Sequence, residues 1–387
     1  MKDNIIIKNG EAFCKKFKQC GGCSYELPYS EELERKQQVA NRLLSRFGRV
    51  EKVIGMESPE RYRCKVTRVY KRAENGRLIT GIFKSKSLSL VPVKDCLLED
   101  KRLCEIAQGL CDVFSSFKIE PYDYKSGKGE LKHVLLRKGL KTGEIMLCIV
   151  TKSPALKSSH ALVKAVTEKY RDITTIVHNV NSSTFPLTLG KKENVLFGKG
   201  CIEDELMGVR FKISAASFMQ VNPLQTVRLY SLARDMLDEG TKTLIDAYCG
   251  TGTIGLICAD KTDRLIGVEQ TPSAVRDARE NAKRCNIENA EFICADAGTF
   301  MRELAQSGED IDVVIMDPPR AGADKRFLDS LSQLAPKQLI YISCNMQTLA
   351  RDMSILKKTG YKAVKIQPVD MFARTRHCEC VCKLVSG

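Results

Sequence analysis

The sequence predicts an α/β protein in two parts, with a doubly wound, mostly parallel sheet in the C-terminal half and an α+β region before it. Three observations carry this. From about residue 210 onward, the short apolar runs TKTLIDAY, DRLIGVE, AEFICAD, DIDVVIMD and KQLIYISC each end in a polar or acidic residue, with helical stretches between them. Alternating strand and helix implies parallel strands with helices on both faces. Before that point, RCKVTRVYKRAENGRLITGIFK, HVLLRKGLKTGEIMLCIV and TTIVHNV are β-prone runs broken by basic or glycine-bearing turns, the pattern of a mostly antiparallel sheet. Charge divides at the same place. Residues 1–200 carry 38 Lys+Arg against 22 Asp+Glu, whereas residues 201–387 carry 24 against 25.

In chain order, residues 1–28 form a short segment bearing cysteines and glycines. Residues 29–48 read as an amphipathic helix with Leu33, Val39, Leu43 and Leu44 roughly on one face, Ser30 as its cap and Gly48 near its end. Helices are also predicted over 101–116 and 156–170. The expected division is a cysteine segment at 1–28, a basic central α+β domain at 29–210 and a catalytic domain at 211–387. A hydrophobic share of 43% supports a packed core. No run of eighteen apolar residues and no signal-peptide core is present, so a cytoplasmic protein without a membrane segment is expected. Nothing implies an obligate protein partner. The basic first half suits a phosphate backbone, although a merely solvated face accounts for the charge equally well.

The strand ending at Asp246 leads into Ala247-Tyr248-Cys249-Gly250-Thr251-Gly252-Thr253-Ile254-Gly255, which satisfies GxGxxG. That motif alone fits a dinucleotide site equally well. Glu269, ending the next strand, suits the two hydroxyls of a ribose. Asp296 also ends a strand. A carboxylate at Asp246 is poorly placed for pyrophosphate and well placed for the cationic methionine end of S-adenosylmethionine. Asp317-Pro318-Pro319-Arg320, after the fourth strand, adds a loop stiffened by proline of the kind that receives a target base. The competing assignment is a nicotinamide-dependent oxidoreductase.

Methylation at carbon 5 of uracil requires a thiolate to add at carbon 6 and a base to remove the carbon 5 proton afterwards. Cys344 ends the fifth strand just before a helix, where the helix N-terminus is expected to lower its pKa. As one of 17 cysteines, it has a buried structural role as its alternative. In the tail VDMFARTRHCECVCKLV, a strand over 376–384 places Cys378, Cys380 and Cys382 on one face and His377 and Glu379 on the other. Glu379 is the candidate base. A zinc set formed by the alternating cysteines is disfavoured, because one strand cannot wrap a tetrahedral ion.

These residues identify a resemblance. Ser217-Phe218-Met219-Gln220-Val221-Asn222, the Asp246–Gly252 loop, Asp317-Pro318-Pro319-Arg320, Ser343-Cys344-Asn345 and His377-Cys378-Glu379 occur in the order found in RNA (uracil-5-)-methyltransferases, over about residues 210–385. The resemblance implies a Rossmann-like methyltransferase domain in which Gln220, Tyr248, Glu269 and Asp317 bind S-adenosylmethionine, Cys344 is the nucleophile and Glu379 the base. The DPPR loop has no cysteine, unlike that of the 5-methylcytosine enzymes, which favours uracil. A non-catalytic RNA-binding assembly factor with the same fold is the remaining alternative.

Cys14, Cys20 and Cys23, with Gly21-Gly22 between the last two, form a 3+1 style of thiol set that suits an iron–sulfur cluster awaiting a distant fourth ligand. In the resemblance, members acting on rRNA carry a 4Fe–4S cluster with this spacing, and Cys96 matches the position of the fourth ligand. Cys64, Cys104 and Cys111 are the other candidates. The cysteines direct the expected substrate to 23S rRNA, with tRNA as the alternative. The chain begins almost directly at these cysteines, without the small β-barrel domain of many members, so RNA binding is expected to rest on the central domain.

Overall fold

The computed structural model describes residues 5–8 and 10–387. The chain packs as two compact units, Met1–Pro28 with Ser58–Glu205 and Lys212–Asn222, and Tyr29–Glu57 with Leu206–Phe211 and Pro223–Gly387.

The hairpin β1 (Ile5–Lys8) and β2 (Glu11–Cys14) precedes the one-turn helix α1 (Phe17–Cys20). Gly21 ends α1 at φ 67°, a left-handed conformation that L side chains rarely adopt. Helix α2 (Tyr29–Leu44) follows and belongs to the second unit. The first unit then builds one seven-stranded sheet from β3 (Lys65–Arg72), β4 (Leu78–Phe83), β5 (Leu90–Pro92), β6 (Leu131–Lys138), β7 (Ile145–Thr151), β8 (Ile173–Val180) and β9 (Lys192–Phe197), in the order β5-β4-β3-β6-β7-β8-β9. Its pairings are antiparallel except β7 with β8. Helices α3 (Lys101–Ser116) and α4 (Ser159–Lys169) supply Leu103, Ile106, Leu110, Phe114, Leu162 and Val166 to a core shared with Val66, Val134, Leu147 and Ile176 of the strands. Asp100 caps α3 by accepting from Leu103 N.

Strands β10 (Ile202–Leu206) and β11 (Val209–Ile213) lead to α5 (Pro223–Asp235). The second unit then alternates β12 (Thr241–Ala247), α6 (Thr253–Cys258), β13 (Thr262–Glu269), α7 (Pro272–Arg284), β14 (Ala290–Cys294), α8 (Ala297–Ser307), β15 (Val313–Met316), α9 (Lys325–Leu334), β16 (Gln338–Ser343) and α10 (Met346–Lys358), and closes with β17 (Tyr361–Val369) and β18 (Glu379–Ser386). The sheet order is β14-β13-β12-β15-β16-β18-β17. Strands β12 to β16 pair in parallel, and β18 inserts antiparallel between β16 and β17. The order reverses between β12 and β15, the crevice where doubly wound folds bind ligands. Acceptors end the loops and start the helices: Asp296, Asp324 and Asn345 accept from Thr299, Phe327 and Gln347 N at the starts of α8, α9 and α10.

The expected domain boundaries need correction. Residues 29–57 pack in the second unit, because Ala40, Leu44 and Val53 are buried in the same core as Leu339, Leu349 and Ile366. Residues 1–28 belong with the central sheet, and Lys212–Asn222 with it too, beyond the expected boundary at 210. The helix begins at Tyr29, which places Ser30 inside it rather than at its cap, and ends at Leu44 rather than near Gly48. Among the described residues no helix is long and apolar enough to cross a membrane.

Leu349 on α10 is fully buried against this core. Leu349→Ala is expected to lower unfolding stability by about 2–5 kcal/mol. Urea denaturation followed by circular dichroism checks this, and a loss below about 1 kcal/mol would contradict the packing described.

Candidate active site

At the end of β12 the chain turns through Tyr248, Gly250 and Gly252, all left-handed, with φ of 65°, 57° and 78°. A side chain at Gly250 would meet nothing within 4 Å, so its backbone opens on free space, whereas one at Gly252 would strike the Phe292 ring. Gly255 N donates to Asp246 Oδ2 at 2.8 Å, an approach that a methyl group at 255 would block. Asp246 is buried, and burial foremost pushes its carboxyl up to about 7. Its Oδ1 has no hydrogen-bond partner among the described residues. Glu269 accepts from Gly250 N at 3.3 Å and from Thr271 N at 2.7 Å, which fixes both of its oxygens at the rim of the glycine turn. The Tyr248 ring lies 5.2 Å from that of Phe327. Asp317 follows β15 across the crevice, and burial raises its carboxyl to about 7.

Cys344 stands between β16 and the cap of α10. Asn345 Nδ2 donates to the Arg320 carbonyl at 3.1 Å, tying this turn to the Pro318-Pro319 loop. In the antiparallel ladder Ser343 pairs with Cys380, and Glu379 is the first residue of β18. Glu379 lies close enough to Cys344 to act on the charge of its thiol. Glu379 is 2% exposed, and burial, with the neighbouring Asp317 charge, holds its carboxyl well above the usual carboxylate range. Arg320 opposes this, stands beside Cys344, and lies 3.4 Å from His377 Nε2.

The expected lowering of the Cys344 thiol pKa does not occur. Burial first, then Glu379 and Asp317, push it up to about 11, and the nearby Arg320 guanidinium offsets only part of this. The sequence shows the helix N-terminus and both carboxylates, but not the burial that outweighs the helix terminus. Arg320 stood in the recognised DPPR run without a role assigned to it. Cys378, Cys380 and Cys382 are buried in the core, with the last two sulfurs 3.7 Å apart.

Tyr248, Glu269, Asp317, Cys344 and Glu379 thus belong to one unit. Gln220 belongs to the other, where its carbonyl accepts from Cys64 Sγ at 3.7 Å. In that first unit Cys23 has Cys96, Cys20 and Cys14 as electrostatic neighbours, and burial foremost raises its thiol to about 12. Backbone amides donate to two of these sulfurs, Lys16 N to Cys14 at 3.3 Å and Gly22 N to Cys20 at 3.5 Å. Among the described residues, however, no group of three or more His, Cys, Asp or Glu is arranged to hold a metal ion. The expected ligand set is a neighbourhood of thiols and not a closed metal centre.

A doubly wound sheet with a glycine turn after its first strand and a thiol facing a carboxyl at its carboxyl edge defines a group-transfer enzyme of the methyltransferase class. The sequence model described as tRNA (Uracil-5-)-methyltransferase matches residues 150–386, and the chain belongs to that family. It is an RNA uracil-5-methyltransferase. An uncharacterized RNA methyltransferase of Clostridium tetani is 38% identical over 98% of this chain and 84% of its own length. One of Listeria innocua is 38% identical over 98% of this chain and 85% of its own length. Among solved structures, the Pyrococcus abyssi tRNA (uracil-54, C5)-methyltransferase in complex with S-adenosyl-L-homocysteine superposes with a TM-score of 0.79 and 27% identity, covering 100% of this chain and 92% of that one.

A thiol titrating near 11 reacts in proportion to its thiolate fraction, so alkylation of Cys344 by iodoacetamide is expected to quicken about tenfold per pH unit between pH 7 and 10. Arg320→Met removes the cation that lowers this pKa and is expected to slow alkylation at every pH in that range. Peptide mass spectrometry at Cys344 measures both rates. A rate independent of pH would contradict the electrostatics described.

Proposed function

We propose that this enzyme methylates carbon 5 of a uridine in 23S rRNA, with S-adenosylmethionine as methyl donor, through a covalent adduct on Cys344. The observation that carries the reading is the convergence of Glu379, Asp317 and Arg320 on the Cys344 thiol, each close enough to act on its charge.

The residues present suit the donor. Asp246 offers a buried carboxylate oxygen lacking a partner among the described residues, fit for an ammonium group, and Glu269 retains lone pairs for ribose hydroxyls. Tyr248 and Asp317 complete the set in this unit, and the family resemblance adds Gln220. When bound, S-adenosylmethionine supplies an electrophilic methyl group on a sulfonium.

The chain's own residues perform the remaining work. Cys344 Sγ adds as thiolate to carbon 6 of the uracil, and the ring electrons move onto the carbon 4 oxygen as an enolate, which makes carbon 5 nucleophilic. After carbon 5 is methylated, the Glu379 carboxylate removes the carbon 5 proton. The carbon 6–sulfur bond then breaks, restoring the ring double bond and the thiolate. At rest both Cys344 and Glu379 favour their protonated forms. A positive charge bound beside Asp317 makes both ionise more readily. The uridine must leave any base stack to reach Cys344.

Cys14, Cys20, Cys23 and Cys96 are assigned to a 4Fe–4S cluster. A single zinc ion needs its sulfurs about 2.3 Å from one centre. The four thiols include electrostatic neighbours, and two of the sulfurs receive backbone N–H bonds of the kind that thiolates bound to a cluster accept. Methyl transfer needs no electron, so a cluster held by these four cysteines would serve to hold the first unit together or to contact RNA. Methylation of tRNA is the second reading, favoured by the similarity to the P. abyssi enzyme.

Two experiments test these assignments. Cys344→Ala is expected to abolish incorporation of labelled methyl into RNA, and Glu379→Gln to accumulate a methylated RNA–protein adduct in denaturing gels. Full turnover by Cys344→Ala would refute the mechanism. Mapping 5-methyluridine in rRNA and tRNA from cells with and without the gene separates the two substrates. Protein purified anaerobically is expected to contain about four irons per chain and a broad visible absorbance, both lost in Cys23→Ala. Stoichiometric zinc in their place would refute the cluster.

A further inference from the structure

The nine residues 370–378 join β17 to β18, between the paired Val369 and Glu379. They form the turn of a hairpin whose second stem begins with the proposed base. A connection of this length has no regular ladder to fix it, yet it is tied down by charges buried on the N-terminal helix α2. Lys36 is 2% exposed, and Glu32 and Asp370 are fully buried. Lys36 Nζ donates to Glu32 Oε1 at 2.6 Å, to Asp370 Oδ1 at 2.7 Å and to the Phe372 carbonyl at 3.2 Å. These three acceptors use all three ammonium protons. Asp370 also accepts from the Tyr29 hydroxyl at 2.8 Å and from Phe372 N at 3.1 Å. Glu32 Oε1 accepts from Arg374 N at 2.7 Å, holding a residue whose φ is 66°. Asp370's own backbone is gripped by Ile54 O and by Gln225 Nε2, at 2.9 and 2.8 Å.

We propose that Lys36, with Glu32 and Asp370, is a positioning device for catalysis: it clamps the first stem and turn of this hairpin so that Glu379, on the second stem, is held in place to take the proton. The inference rests on the reading of Glu379 as the base. Stability alone does not account for the arrangement. A buried ion cluster is often replaced by apolar side chains at no net cost. Apolar groups, however, supply no bonds to Phe372 O and Arg374 N, which are the points where the turn is fixed. Asp370 is the residue directly after the partner of Glu379, so slack at the clamp is passed to the base across one ladder rung. Proton transfer depends steeply on such placement.

The test uses the full chain, tritium-labelled S-adenosylmethionine and total RNA from cells lacking the gene. Lys36→Met is expected to lower kcat about 10- to 100-fold while KM for both substrates stays within about twofold. It is also expected to accumulate the methylated RNA–protein adduct, because addition through Cys344 proceeds and proton removal stalls. Tyr29→Phe removes the hydroxyl that donates to Asp370 and accepts from Met56 N, and leaves the charges in place. It is expected to fold as the parent does and show the same signature more weakly, and it decides the matter if Lys36→Met fails to fold. Glu379→Gln is run alongside. If Glu379→Gln traps adduct and neither clamp variant does, or if kcat is unchanged in both, the positioning role is refuted while the reading of the site stands. If Glu379→Gln traps none, the reading of Glu379 falls and this inference falls with it.

Discussion

The antiparallel insertion of β18 between β16 and β17 is the constraint on which the catalytic unit depends. Strands β12 to β16 all run one way, so their carboxyl ends deliver Asp246, Glu269, Asp317 and Cys344 to one edge of the sheet. A sixth parallel strand would bring only its own carboxyl end to that edge. Reversing β18 brings its first residue, Glu379, to that edge, near Cys344. A slip of one residue would turn Glu379 to the opposite face of the sheet.

Electrostatics at this edge are one-sided. Asp246, Asp317 and Glu379 are all pushed toward their neutral forms by burial, and Arg320 is the cation that acts on Glu379 and Cys344. A site that resists ionisation when empty is not a poor site for charge. The same burial that penalises an isolated carboxylate strengthens its attraction to any cation placed beside it. The raised thiol follows the same logic. Burial and the neighbouring carboxylates favour the protonated form of Cys344, although the residue stands partly exposed.

Much of this was legible in the sequence because it depends on local pattern. The five parallel strands, the glycine turn after Asp246 and helix 101–116 are each written in contiguous residues, and the structure places them where the periodicity indicates. Residues 29–57 join the second unit although the central sheet follows them in the chain, because adjacency in sequence does not fix adjacency in space. Their apolar face, with Leu33, Val39 and Leu43, signals only that a core exists and not which one. Lys36 and Glu32 were invisible for a related reason. On a helix, charged residues at i and i+4 are the usual mark of a solvated face, and their burial follows from a partner more than 300 residues away. The thiol pKa was misjudged because one contribution, the helix terminus, is local, whereas the opposing carboxylates come from distant strands.

The 17 cysteines show why residue type alone does not assign chemistry. Cys380 and Cys382 touch each other at 3.7 Å and sit in an apolar layer beneath the sheet, where they act as small hydrophobic side chains. Cys344 lies one rung beyond Ser343 on the neighbouring strand, and only its surroundings set it apart. It is accessible, it faces a carboxyl able to shuttle a proton, and it neighbours an arginine able to favour the thiolate. Burial alone raises the pKa of a thiol and makes it inert. Burial beside groups whose charge changes when ligands bind makes the same shift reversible, and that reversibility separates a nucleophile from a filler of core space.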